Sequence, residues 1–267
     1  MTIEKQLRDR YLKQIEKFEH LSTSELAASA IVFSPHQDDE TLGCGGTIAR
    51  KKEAGAEVKI VFMTDGSLSH HHFIARDKLI DLRQQEAVLA AQKLGVASED
   101  VLFLGYSDGE LQQSSTEAIA VVCELLEQHP RAVFIPYVRE THRDHLATNQ
   151  IVLAAVNKYD RDLTIYEYPV WYWHHFPWTK VGKKDSRMKY FKASLKAKMG
   201  WQLIQEFNSR VEIEPFLATK QLALAQHQTQ MKRMVEDPNW GLLEDPADGE
   251  WLECFFKTNE IFRRTII

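Results

Sequence analysis

Two short runs concentrate the side chains that can do chemistry. Ser34-Pro35-His36-Gln37-Asp38-Asp39-Glu40 brings one imidazole together with three carboxylates. Neighbouring carboxylates repel, so they stay close only around a cation or a shared proton. His36 and Asp39 are ligand types that zinc accepts. Asp38, between them in sequence, could then face a water held at an open coordination position. The plain alternative is an Asp that caps the next helix, a common use of that residue in a strand-to-helix loop. The second run, His142-Arg143-Asp144-His145, adds two imidazoles and a carboxylate. Alone it reads equally well as solvated histidines with Asp144 as a cap. Together, the runs can supply His36, Asp39 and one of the two later histidines. Three protein ligands with a fourth position open is the layout of a catalytic zinc site, whereas a structural site fills all four, usually with cysteines. Cys44, Cys123 and Cys254 are scattered and form no CxxC pair.

The elements that must position these runs follow from hydrophobic patterning. Apolar residues at Leu7, Tyr11, Leu12, Ile15 and Phe18 predict an amphipathic helix over 4–20. Strands and helices then alternate. Strands are expected at Ala30–Ser34, Glu57–Met63, Val101–Leu104, Ala132–Pro136 and Leu163–Tyr168. Helices are expected at Thr41–Ala54, Asp77–Leu94, Thr116–Gln128 and Asp144–Lys158. This alternation predicts an α/β fold, a Rossmann-like three-layer sandwich with a mostly parallel sheet. Ligands in such folds bind beyond the carboxyl ends of the strands, where both runs fall. After residue 170 the alternation stops. Residues 185–207 and 217–235 read as helical and 236–250 as turns, giving a partly helical C-terminal cap. The expected division is an N-terminal helix in 1–28, a catalytic core over 29–170 and a cap or extension of the same domain over 171–267.

Composition bounds the function. Hydrophobic residues make up 44% of 267, enough for a buried core. The formal charge of -5 argues against a nucleic-acid partner. The charged N-terminal run lacks the apolar region of a signal peptide, and no run has the ~20 apolar residues of a membrane span. With the unpaired cysteines, this gives the expectation of a cytoplasmic protein. Gly43-Cys44-Gly45-Gly46 is no GxGxxG fingerprint, and close helix–sheet packing explains it better than a nucleotide cradle, with Cys44 a small buried residue. That absence also sets aside a nicotinamide dehydrogenase. His70-His71-His72 reads as a loop at the site rim. Pro169–Trp178 is strongly aromatic, and a glycan-stacking wall, cap packing or the subunit interface of a homo-oligomer all fit it. Lys180–Lys192 reads as a solvated helix start.

The ordered set of motifs resembles the PIG-L/LmbE-like family of zinc-dependent N-acetylglucosaminyl deacetylases. The resemblance rests on Pro35-His36-Gln37-Asp38-Asp39-Glu40, Thr64-Asp65-Gly66, Arg83-Gln84-Gln85-Glu86 with Leu94-Gly95, Gly105-Tyr106-Ser107-Asp108-Gly109-Glu110-Leu111 and His142-Arg143-Asp144-His145. It covers roughly residues 30–150 and implies Zn2+, with other divalent metals also accepted by such a site. It implies His36, Asp39 and His145 as ligands and Asp38 as general base. Asp144 is implied to orient a histidine, His142 to assist the transition state, and Arg83 and Asp108 to contact substrate. Gln37 and Arg143 replace prolines of the family pattern at positions that do not ligate metal. Glu140 stands where some members carry a tyrosine, which leaves Tyr137 as a candidate substitute at the oxyanion. The implied reaction removes an acetyl group from a small amino-sugar substrate. The alternatives are a zinc amidase acting on a thiol conjugate, and a non-catalytic sugar-binding relative, which would predict a broken metal triad.

Overall fold

The computed structural model describes residues 3–267, so Met1 and Thr2 of the expected segment 1–28 lie outside it. In chain order the elements are α1 (Ile3–Ile15), β1 (Glu19–His20), α2 (Thr23–Ala27), β2 (Ala30–Ser34), α3 (Asp39–Glu53), β3 (Val58–Thr64), α4 (Arg76–Lys93), β4 (Val101–Tyr106), α5 (Ser115–Leu126), β5 (Ala132–Pro136), α6 (Arg143–Val156) and β6 (Thr164–Tyr168). They continue as α7 (Arg187–Lys196), α8 (Trp201–Glu206), β7 (Ser209–Glu212), α9 (Leu217–Leu224), α10 (Gln228–Met231), α11 (Glu250–Glu253) and β8 (Asn259–Ile266). Among the described residues no helix is long and apolar enough to cross a membrane.

The strands form one sheet in the order β1-β7-β8-β6-β5-β2-β3-β4. β2 runs parallel to β3 and β5, β3 to β4, and β5 to β6. Every residue of β2 and β5 is buried, as strands covered on both faces require. Alternate residues of β2 serve opposite layers. Ala30 and Val32 pack with Leu42, Ile48, Ala87 and Ala91 of α3 and α4. Ile31 and Phe33 pack with Val122, Leu126 and Ile151 of α5 and α6. The three-layer α/β sandwich is therefore present. From β2 the chain builds outward through β3 and β4, then returns to add β5 and β6 on the other side. The loops leaving β2 and β5 part at that reversal and open a crevice, and both chemical runs lie in it.

Three details depart from the sequence expectation. The N-terminal helix ends at Ile15 because Glu19 and His20 pair with Ser209 and Arg210 as a short strand. The helices expected over 185–207 and 217–235 are both broken, the first at Lys198, Met199 and Gly200, which all have positive φ, and the second between Leu224 and Gln228, with 232–235 outside helix. The third departure is larger: β7 and β8 make residues 171–267 part of the sheet as well as a cover. β8 lies antiparallel to β6 and β7. Its polar ends disguise it. Arg263 pairs with Glu167 and Arg264 with Glu25, partners far away in sequence.

The glycine run is a packing device within α3. A Cβ at Gly43 would sit 2.2 Å from Tyr168 Cδ2, and one at Gly46 would sit 2.6 Å from Ile213 Cβ. The space is used by a buried ion pair from the C-terminal half. Glu260 of β8 accepts from the amides of Gly46 and Thr47 at 2.8 and 2.7 Å. Lys220 of α9 lies 2.7 Å from the same carboxylate and donates to the Leu42 carbonyl at 2.8 Å. Cys44 is fully buried in this layer. Gly46→Ala is expected to destabilise the protein by about 1–3 kcal/mol through overpacking, read as a lower urea midpoint at unchanged slope. An unshifted midpoint would show that α3 can move away without cost.

Candidate functional site

The crevice begins where β2 ends. Ser34 Oγ donates to the His36 carbonyl at 2.7 Å and curls the loop towards α3. Asp38 occupies the N-cap position of α3 but makes no side-chain cap, so its carboxylate stays available to the crevice. Its φ of 148° is a conformation that side-chain-bearing residues avoid, and holding one there costs about 1–3 kcal/mol. The Asp38 amide donates to Glu40 Oε2 at 3.0 Å, and its carbonyl accepts from the Leu42 amide at 2.9 Å. Arg83 of α4 reaches across with Nη2 3.4 Å from the Asp38 carboxylate. The same guanidinium donates to the carbonyls of Gln37 at 2.7 Å and Gly66 at 3.1 Å.

Asp39 Oδ2 is the meeting point of the two runs. It lies 3.2 Å from His36 Nδ1 and 3.2 Å from His145 Nε2. The other nitrogen of His36, Nε2, lies 3.3 Å from both Asp108 Oδ1 and Asp144 Oδ2. Asp144 is fixed by the amides of Gly109 and Leu111, at 2.7 and 3.3 Å, and Asp108 by the amide of Leu68 at 2.9 Å. The His142 ring lies 4.9 Å from that of His36 and 5.3 Å from that of His145. One nitrogen each from His36, His142 and His145 fall within 4.8 Å of one another. A second such group is His36, Asp108 and Asp144.

This donor set suits a divalent cation. Both ring nitrogens of His145 and Nδ1 of His142 are buried without a well-aligned hydrogen bond, although Asp39 Oδ2 stands 3.2 Å from His145 Nε2. Buried polar atoms normally find one, and an imidazole lone pair facing a carboxylate is what a borderline metal binds. The electrostatics point the same way. Burial works against charge on His36, but Asp108, Asp144 and Asp39 outweigh it and push its pKa well above the ordinary imidazole value. Asp39 resists burial through His145 and His36 and is held well below the usual carboxylate range. The corner therefore demands positive charge. Asp38 differs: burial, then Asp39, raise it to about 7 against the pull of Arg83, His227 and His36. Burial, then His36 and His145, lower His142 to about 4.

The structure thus brings His36, Asp38, Asp39, Asp108, His142, Asp144 and His145 together, with Arg83 behind Asp38. A cavity of about 270 Å³ opens on His36, Asp38, Asp39, Asp108 and His142, with His145 and Asp144 buried behind them, and it is also lined by Leu68, Ser69, Trp171, Gln230, Leu243 and Trp251. Tyr137 is not among its walls. That side chain is fully buried and donates to Glu206 Oε2 at 2.5 Å, so it cannot stand at an oxyanion in the cavity. Glu140 is engaged elsewhere too. It accepts from the amides of Val170, Trp171 and Tyr172, and its Oε2 lies 3.6 Å from His145 Nδ1. The aromatic run divides: Trp171 faces the cavity and stacks on Trp251 at 4.6 Å, whereas Trp173 and Trp178 pack against each other. His70 is buried, stacked on Trp240 at 4.1 Å and bonded to the Gly241 carbonyl, so it anchors the rim loop. Glu140, Trp251 and the buried pair of Glu40 with His227 escaped sequence reasoning. Glu40 lay in a recognised motif, but nothing in the C-terminal pattern marked His227 or Trp251.

Fold and centre together define an α/β protein whose switch-point cluster could hold a metal ion. Residues 31–156 match the family model described as PIG-L: GlcNAc-PI de-N-acetylase. The chain is 27% identical over 139 residues to a probable N-acetyl-alpha-D-glucosaminyl L-malate deacetylase 2 of Bacillus cereus, covering 49% of this chain and 62% of that protein. It is 28% identical over 131 residues to the diacetylchitobiose deacetylase of Thermococcus kodakarensis, covering 48% of each. The chain thus spans about half to three-fifths of the length of these relatives. Its fold is that of N,N'-diacetylchitobiose deacetylase from Pyrococcus horikoshii, with a TM-score of 0.61 at 20% identity over 99% of this chain and 93% of that one.

A carboxylate behind a ligating imidazole raises its basicity and fixes its ring. A cation held at this cluster is therefore expected to bind about 10- to 100-fold more weakly in Glu140→Gln, measured by competition with a chromophoric chelator. Unchanged affinity would reduce Glu140 to a tether for residues 170–172.

Proposed function

We propose that this protein is a divalent-cation-dependent hydrolase that removes an N-acetyl group from an amino-sugar substrate. One observation carries the reading: the Asp38 carboxylate, pushed up to about 7 by burial and by Asp39, stands with the imidazoles of His36 and His142 on one solvent-open cavity, within the stretch that matches the PIG-L model. In this reading His36, Asp39 and His145 hold the cation, and zinc is the metal that best suits two imidazoles and a carboxylate with one position open. When bound, the cation supplies Lewis acidity, acidifying water and drawing charge from the acyl carbonyl.

The chain's own residues do the rest. Asp38 accepts the proton of the attacking water on its carboxylate, a task suited to a base whose pKa lies near the working pH. Arg83 keeps that carboxylate in place from behind. His142 is neutral at pH 7 and acts as a hydrogen-bond donor to the oxyanion of the tetrahedral adduct, a contribution of about 3 kcal/mol for one well-placed donor. As the C–N bond breaks, the proton held on Asp38 passes to the leaving amine, giving acetate and a free amino sugar. Asp144, tied to the amides of Gly109 and Leu111, orients His36. Arg83 and Asp108 line the cavity wall and are assigned to substrate hydroxyls, while the Trp171 indole, backed by Trp251, offers a face on which a sugar ring can pack.

Two variants test the division of roles. Asp38→Asn is expected to retain the cation and lose about 10²- to 10⁴-fold in acetate release; normal turnover with the metal in place would remove Asp38 as the base. His145→Ala is expected to lose the cation itself, measured as metal per chain after dialysis, and wild-type metal content would overturn the ligand set.

A further inference from the structure

The strained backbone of Asp38 is held from a distant part of the chain. Glu40 is fully buried and its carboxylate is divided between two tasks. Oε2 accepts the Asp38 amide at 3.0 Å. Oε1 accepts from Thr41 Oγ1 at 2.6 Å and lies 3.1 Å from His227 Nε2. His227 is itself fully buried, and its Nδ1 has no partner. It sits just before α10, some seventy residues beyond the matched domain, and the turn that carries it is pinned to the site on two further sides. Thr229 donates through its amide and hydroxyl to Glu86 of α4 at 2.9 and 2.7 Å. Gln230 Nε2 lies 3.4 Å from Ser69 Oγ, the hydroxyl that Arg83 Nη1 approaches at 3.3 Å.

We propose that His227 is a positioning residue for the base: through Glu40 it holds Asp38 in its positive-φ conformation and so aims the Asp38 carboxylate into the cavity. Without an acceptor fixed under its amide, Asp38 has every reason to relax to an ordinary helix-start conformation, which would swing the carboxylate away from the crevice. Glu40 can serve as that acceptor only if its own direction is fixed. In a buried environment Thr41 and His227 are the side chains within hydrogen-bond distance that fix it. His227 neither lines the cavity nor bonds a ligand residue; its charge also draws on Asp38, and His227→Gln, which keeps an N–H without the charge, separates the two effects.

This inference rests on the role given to Asp38 above, so its test includes a measurement independent of activity. His227→Leu removes the donor at similar volume, and His227→Gln restores an N–H at the reach of Nε2. On an N-acetylglucosamine conjugate turned over by the wild type, the leucine variant is expected to lose about 10²-fold in kcat, the effect of a misplacement on the ångström scale. KM and metal content should be unchanged, and the glutamine variant should recover most of the loss. A leucine variant within twofold of wild type, an equal loss in both variants, or loss of metal in the leucine variant would each overturn the proposal. If the leucine variant does not fold, glutamine against asparagine, which is too short to reach Glu40, makes the same comparison. A crystal structure of the variant lacking the donor gives the independent readout. Asp38 out of positive φ supports the positioning role even if no acetyl conjugate is a substrate, and Asp38 unmoved contradicts it even if one is.

Discussion

The constraint on which the rest of this structure depends is the crowding of carboxylates in one buried corner. Asp39, Asp108 and Asp144 all lie within 3.3 Å of a nitrogen of His36, and Asp38 adds another carboxylate with Arg83 as its ion-pair partner. Burying charge is tolerable only when it is paired and hydrogen-bonded. The backbone amides of Gly109, Leu111 and Leu68 meet part of that need. The remainder calls for positive charge among the imidazoles, and a cation supplies it without protonating them. The same crowding separates the two adjacent aspartates. Asp39 faces two imidazoles and stays ionised, while Asp38, a neighbour of that charge in a dry setting, is raised to about 7. Two chemically identical side chains thereby acquire different capacities, one to hold and one to exchange a proton.

Such a corner also has to be closed, and the closing is done by sequence remote from it. Trp251 backs Trp171, Leu243 and Gln230 complete the cavity wall, and the Glu260–Lys220 pair clamps β8 and α9 onto α3. The pair sits against the helix that begins with Asp39, so the C-terminal half bears on the geometry of the centre as directly as the matched domain does. A buried ion pair is weak evidence for stability in itself, since desolvation offsets much of the attraction. Its value here is register: a carboxylate inserted at two backbone amides fixes α3 along its axis.

The core of this arrangement was legible in the sequence because it is local. Continuous apolar runs marked β2, β3 and β5, and the chemical residues followed directly at their ends. Topology alone could bring together His36, Asp39 and one of His142 and His145, since adjacent parallel strands bring adjacent loops together; the family resemblance chose His145 and gave Asp38 and His142 their roles. What could not be read depended on pairing between distant segments. β8 has charged residues at Arg263 and Arg264 that look like surface until Glu167 and Glu25 are placed opposite them. Glu19–His20 is a strand only because β7 lies beside it. Tyr137 was a reasonable substitute at the oxyanion by position, but its ring turns into the packed layer with Tyr172 and Phe207 instead. His227 and Trp251 carried no local signal because the site residues they hold, Glu40 and Trp171, lie eighty or more residues away.

Anomalous diffraction above the zinc edge from crystals equilibrated with zinc would locate the cation. One peak is expected, about 2.0–2.3 Å from one donor atom each of His36, Asp39 and His145. A peak bound instead by Asp108 and Asp144, or no peak at this corner, would contradict it.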